Sequence, residues 1–465
     1  MLGVKVSAAF IIALLFSAIV GSLHFEVVYA PTDISGVISS DTTWTQTGSP
    51  YILTGNLLVE SGVKLTINAG TTVNLGSYYI MVNGTLVARG TSDNPIVFNG
   101  GSLTFTSSIA AWNEQTQSGC IIENAILTTA ITSENAVKIN SNTINNALTV
   151  TCDSIVTNNN IKGNVNGGTI SGNNITGDVF AQDIFSNYII GNVGGSTVSN
   201  NYIKGRVGAN GNCVIFNNTI IGDTTSSADK AGIAVSSAYI GASGYPKIEN
   251  NIIANSGVGI SVSVLIRSWF SVDIPEIRNN LIIQNGVGIQ YSISRQEPWE
   301  TNQTIIESNT IAKNAIGIKF VGTAQECQII NNNIQENTNY SIYLYQTTDT
   351  VDVTNNWWGT TDQSAISNSF YDYYKDFNLG KVNFVPFLTA PNPNAPLISS
   401  FVEPSPSPSL SPSPPTPSPV ITPTPTSTPN QETQQTEQEI IIGVVIAVAV
   451  IGAGLGLLIY LIKRK

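Results

Sequence analysis

IENNIIANSGVGISV (248–262), IRNNLIIQNGVGIQY (277–291) and IESNTIAKNAIGIKF (306–320) are three copies of one pattern. Each reads as a short apolar strand, a polar corner and an alternating strand. Val, Ile and Tyr at every second position suit a half-buried strand, while Asn and Gly supply left-handed corners. No helical period runs through them. Stacked in register at about 4.8 Å, the copies put Ile248, Ile277 and Ile306 in one core column. Asn251, Asn280 and Asn309 then form an amide ladder, and Arg278 sits between Glu249 and Glu307.

The same tripeptide, Asn-x-Ile or a close variant, begins at Asn124, Asn142, Asn159, Asn173, Asn187, Asn201, Asn218, Asn251, Asn280, Asn309, Asn332 and Asn355, and the series closes in Asn-Asn-Trp-Trp-Gly. Such self-similarity predicts a solenoid, whose units bury their apolar faces on one another. A continuous core is expected from about residue 50 to 358. IKGNV, ITGDV, IIGNV and IKGRV, starting at Ile161, Ile175, Ile189 and Ile203, define a short glycine-rich unit with no room for inserted loops. That segment is expected to offer no cleft, which leaves residues 245–350 as the place for local function.

Composition agrees. The chain has 465 residues, of which 42% are hydrophobic and 11% charged, against about 25% charged in ordinary soluble domains. Stacked parallel strands need many buried Ile and Val and can use neutral Asn, Thr and Ser outside.

The two ends read as targeting and anchoring segments. Residues 1–30 carry Lys5, an apolar run from Ala8 to Val20 and Val28-Tyr29-Ala30, the pattern of a secretory signal. Ile440 to Ile462 is apolar, uncharged and long enough to span a bilayer; Lys463, Arg464 and Lys465 follow it, which predicts a cytoplasmic C-terminus. Between solenoid and span, residues 391–439 form a Pro/Ser/Thr-rich stretch expected to be an extended, disordered stalk. Asn83, Asn174, Asn217, Asn302 and Asn339 each begin an Asn-x-Ser/Thr sequon. The expected location is thus the cell membrane, with the solenoid outside. Net charge is −11, and removing Lys5 and the three terminal cations makes the exterior more acidic still. This argues against nucleic acid, or acidic polysaccharide attracted by charge alone, as partner. Neutral glycans, cation-bridged ligands or envelope components remain.

Catalytic options narrow by subtraction. The one histidine is His24, inside the signal, so imidazole-based triads and the common zinc sites are excluded from the mature chain. Cys120, Cys152, Cys213 and Cys327 have no CxxC spacing; Cys213 and Cys327 share a core-facing phase and read as buried thiols, with a disulfide as the alternative. Carboxylates remain. The candidate set is Asp273, Glu276, Arg278, Glu297, Glu300 and Glu307, with Trp269, Trp299, Arg267 and Arg295 in two long loops (262–275 and 292–304) that would leave the same edge of adjacent rungs. Paired loops bearing aromatics could stack a sugar; equally, the charges could be a solvated salt-bridge ladder and the tryptophans loop packing. At the end of the series Trp357 is expected in the core and Trp358 on the opposite side. Ile366, Phe370, Tyr373, Tyr374 and Phe377 are expected on one face of a helix over 362–377, which with a last strand in VNFVPF would cap the open sheet end.

SPYILTGNLLVESGVKLTINAGTTVNLGSYYIMVNGTLVARGTSDNPIVF (49–98), the Asn-Asn-x-Ile coils and NNWWGT (355–360) together resemble the right-handed parallel β-helix, pectate-lyase-like superfamily, in particular its membrane-anchored archaeal surface members. The resemblance spans roughly 35–388. It implies an all-β solenoid whose relatives include polysaccharide lyases, hydrolases, epimerases and noncatalytic surface proteins. The Asn-Thr-Asp, Gly-His-Gly and Arg-Ile-Lys set of polygalacturonases is missing, and no clustered calcium-binding Asp with a downstream Arg is evident. The expectation is therefore a signal (1–30), an N-terminal β-helix region (31–110), repeats (111–358), a cap (359–390), the stalk (391–439), a transmembrane helix (440–462) and a tail (463–465). Its role would be noncatalytic, binding carbohydrate or matrix or contributing to the envelope; a carboxylate-based lyase or glycosidase and a structural spacer are the alternatives. No cofactor is implied, with calcium left open.

Overall fold

Three strands per rung follow from the repeat itself. In the rung of Asn251 they are Lys247–Glu249, Ile252–Ala254 and Val258–Ile266. Each pairs in parallel with its counterpart one rung on: Ile248 with Ile277, Ile253 with Ile282, Ile260 with Ile289. The three series make a first, second and third face around a central core. In this computed structural model, residues 30–401 are described apart from 223–229, 238–245, 267–274, 296–302 and 324–326. Pairing is continuous from Thr32–Ile38, which lies against Tyr51–Val59, to Phe370–Tyr371, which lies against Ile342 and Tyr343. The solenoid therefore extends beyond the expected 50–358 at both ends. Residues 1–29, which hold nearly all of the expected signal, the chain after 401 and the apolar segment 440–462 lie outside the described residues; among those described, no helix is long and apolar enough to cross a membrane.

Ile248, Ile277 and Ile306 are fully buried in one core that runs the length of the stack. The corner between first and second faces holds the expected ladder. Asn280 Nδ2 donates to Asn309 Oδ1 at 3.0 Å, to the Ile248 carbonyl at 2.8 Å and to the Arg278 carbonyl at 2.9 Å. Its Oδ1 accepts from Asn251 Nδ2 at 3.0 Å and from the Asn251 backbone N–H at 2.9 Å. The chain of amides runs from Asn142 through every repeat to Asn356. The residue before each ladder position takes a left-handed conformation, at Asn250, Asn279 and Asn331 but also at Ser186 and Ser308.

The phase slips by one residue at both ends of the series. Asn124 is itself the left-handed residue, and Ala125 holds the ladder position, its N–H donating to Asn142 Oδ1; Ile126 consequently points outward and is 40% exposed. At the other end Asn355 is left-handed and Asn356 closes the ladder. This reverses the expected tryptophan phase: Trp358 is buried, whereas Trp357 bridges Asn333 on the outside and donates from Nε1 to Gln335. Spacing between rungs, not the tripeptide alone, sets which side chain turns inward.

The cap is also shorter in helix than its apolar period suggested. Only Gln363–Asn368 is helical, with Asp362 accepting from the Ser364 and Ala365 N–H groups. Phe370 then re-enters strand pairing, where it meets Trp358 edge to face at 5.0 Å and Phe384 at 5.5 Å. Tyr374 and Phe377 are 71% and 79% exposed. The Asp372 carboxylate holds this turn by accepting from the Tyr374 and Val382 N–H groups, which stops the helix continuing. Val382–Asn383 supplies the last strand, paired with Val351–Asp352.

Residues 391–401 have the composition of the stalk but lie on the solenoid. Asn392 exchanges hydrogen bonds with Asn333, its N–H donating to Oδ1 at 2.8 Å and its carbonyl accepting from Nδ2 at 3.2 Å; its own Nδ2 reaches the Asn331 carbonyl. Thr310 donates to the Pro396 carbonyl. Ile398 and Phe401 pack on Ile221, Ala254, Leu281 and Ile283. This strap runs back along the second face from the capped end toward earlier rungs.

Candidate functional site

On the third face one outward column can be followed from rung to rung. It reads Asn166, Phe180, Gly194, Gly208, Ala234, Ser261, Gln290, Lys319, Tyr343 and Tyr371, each paired with the next. Alternation along a strand is what sends these side chains out while Ile260, Ile289, Ile318 and Ile342 go to the core.

The C-terminal part of the column is aromatic. Tyr343 and Tyr371 stack at 4.7 Å with 17° between planes, and Tyr340 meets Tyr371 at 5.4 Å and Tyr343 at 5.6 Å. Lys319 Nζ lies 6.0 Å from the Tyr343 ring and 5.2 Å from the Tyr345 ring. Burial among these neighbours, and then the nearby Tyr371, Tyr340 and Tyr345 phenols, pushes the Tyr343 hydroxyl above its ordinary pKa. The result is a half-exposed aromatic surface beside a cation, suited to stacking on the apolar face of a sugar while phenols and ammonium donate to its hydroxyls.

Farther down the column, Gly194 and Gly208 leave a gap. A cavity of about 870 Å³ opens there, with Phe180, Asn192, Arg206 and Asn212 in its lining. The short glycine-rich rungs therefore do carry a cleft, contrary to the expectation from their length. Close stacking explains their glycines: a Cβ at Gly191 would lie 2.1 Å from the Gly177 carbonyl oxygen. The same economy of side chains on the third face is what hollows the gap.

The sequence candidates divide. Glu276, Arg278 and Glu307 are described, and the register stacks Arg278 between Glu249 and Glu307 as expected. Arg278 pairs with Glu276 at 3.5 Å and with Glu307, so these charges satisfy one another. They sit on the first face, away from the column. Asp273, Glu297, Glu300, Trp269, Trp299, Arg267 and Asn302 lie outside the described residues, as does the side chain of Arg295. What is described of the two loops is their departure: the strands leading to them end at paired positions, Ile266 beside Arg295. Asn217 and Asn339 are exposed and Asn83 and Asn174 half-buried. Among the described residues no group of three His, Cys, Asp or Glu side chains is placed to hold a metal ion.

None of the four cysteines is in a disulfide. Cys213 is buried as expected, Cys327 is half-buried against the core, and Cys152 is exposed. Desolvation raises the Cys327 thiol, and it raises Cys120 to about 11 despite a hydrogen bond from the Leu86 N–H.

Sequence reasoning missed the tyrosine cluster, the glycine gap and a second amide ladder, Asn285 to Asn314 to Asn337. The ladder had a signal in Asn-Gly-Val-Gly, Asn-Ala-Ile-Gly and Asn-Thr-Asn-Tyr at the next corner. The outward column had one too, once the rungs were aligned through the unequal insertions.

Among known families, a model described as a pectate-lyase like beta helix domain matches residues 36–112. No curated protein and no solved structure is significantly similar to the chain. The family match and the unbroken parallel pairing both fit a parallel β-helix.

Proposed function

We propose that this is a cell-surface β-helix protein, noncatalytic, that holds glycan or envelope carbohydrate on its third face. The observation that carries the reading is the half-exposed Tyr340, Tyr343 and Tyr371 cluster with Lys319 beside it. The engagement of both Glu276 and Glu307 by Arg278 favours binding over carboxylate chemistry at that place. Display outside the cell, a signal at the N-terminus and anchorage through 440–462 belong to this proposal and rest on sequence alone.

The test is retention of the full-length protein, in detergent, on a broad panel of immobilised polysaccharides, with release of reducing ends or unsaturated products followed in parallel. Tyr343→Ala with Tyr371→Ala should lower retention about tenfold, the equivalent of ~1.4 kcal/mol and within the range for stacking aromatics, with no product released. Product release that survives the double substitution would favour a lyase or hydrolase; no retention on any glycan would favour a spacer.

A further inference from the structure

We propose that the glycine gap on the short rungs is a separate subsite for a pyranose ring carrying an anionic group. The inference deepens the glycan reading above and rests on it. Three observations converge on this gap. First, Phe180 is 50% exposed, and its ring rests over Gly194, where an added Cβ would come within 3.0 Å of it. Gly194 and Gly208 thus leave bare sheet backbone as a floor and an aromatic ring as one wall.

Second, the lining holds amides and Arg206 but no carboxylate. In a chain with 30 acidic and 19 basic residues, a cleft whose lining is so biased selects for an anion locally, whatever the net charge does at long range. Asp178, one rung before Asn192 and two before Arg206, is engaged by Asn192, whose backbone N–H and Nδ2 donate to it at 2.7 and 3.2 Å. Among the described residues no carboxylate forms an ion pair with Arg206. A guanidinium is a planar fork of donors suited to carboxylate or sulfate oxygens.

Third, the gap and the tyrosine cluster occupy the same outward column, seven strand steps apart from Phe180 to Tyr343. At about 4.8 Å per step this is roughly 34 Å, a span that one polymer could bridge, so that two weak contacts act together.

Binding of three oligosaccharide sets to the full-length protein separates the possibilities: one carboxylated, one sulfated, one neutral. The variants are Phe180→Ala, Arg206→Gln and Gly208→Leu. The last fills the floor, and the position has room for a side chain, since a Cβ there meets nothing closer than 3.9 Å. Expected is a loss of about tenfold for an acidic set in all three variants, with thermal midpoints unchanged. The set affected tells carboxylate from sulfate. Equal binding of the neutral set, or acidic binding untouched by Gly208→Leu in a folded protein, would overturn the subsite. Were wild type to retain neutral glycans through the tyrosines while these variants changed nothing, the subsite alone would fail; no glycan retained at all would remove the underlying reading as well.

Discussion

Asn280 shows how much one side chain does at a corner. It satisfies the Ile248 and Arg278 carbonyls and the Asn251 N–H at once, in a fully buried position. Asn280→Ala orphans each of them, and at ~1–3 kcal/mol for a buried polar group left unpaired the expected loss is about 2–4 kcal/mol by chemical denaturation, with the β signature of the remaining rungs retained. Cys120 carries a second residue-scale expectation. Burial lifts its folded pKa to about 11, above the ordinary thiol value of 9.0, so the folded state keeps the thiol proton when the unfolded chain gives it up. The associated stability is complete below pH 9 and is lost as pH rises toward 11. Denaturation midpoints should fall over that window in wild type and stay flatter in Cys120→Ala. Alkylation at neutral pH should label Cys152 first, because it is the exposed thiol.

At the scale of the element, the strand columns were legible and the ends were not. Ile248, Ile277 and Ile306, the Asn ladder and the Arg278 column all follow from one alignment of three equal repeats. That alignment fails at Trp357 and Ile126 because the adjoining rungs differ in length, and a one-residue slip in a strand exchanges inside for outside. The predicted helix over 362–377 failed for another reason: Asp372 has a backbone partner at Val382, ten residues on, and no local period records such a contact. The same holds for the strap, whose Pro-rich sequence says nothing of Asn333 or Leu281. Phe370→Ala should test the cap. Removing the ring that joins Trp358 and Phe384 should cost about 3–5 kcal/mol locally and increase light scattering on warming, as the last rung's edge becomes available for pairing.

For the whole molecule, a stack of nearest-neighbour contacts implies that stability is distributed rather than pooled. Ile277→Ala should destabilise by ~2–5 kcal/mol and split thermal unfolding into two steps in calorimetry, since rungs on either side retain their own partners; a single sharpened transition would contradict it. The function is less legible than the fold because the third face depends on which residues of unequal rungs stand opposite one another, and Phe180 meets Tyr343 in one column only after seven pairings. The strap has a mechanical meaning as well. Chain leaving at Phe401 departs from the flank of the solenoid, several rungs before the capped end, so a pull applied there peels Ile398 and Phe401 from Leu281 and Ile283 before any load reaches Phe370. The twelve residues from Ala390 to Phe401, at ~3.5 Å each, reach about 40 Å when fully extended, so that the freed strap would act as a shock absorber in series with a cap that stays shut.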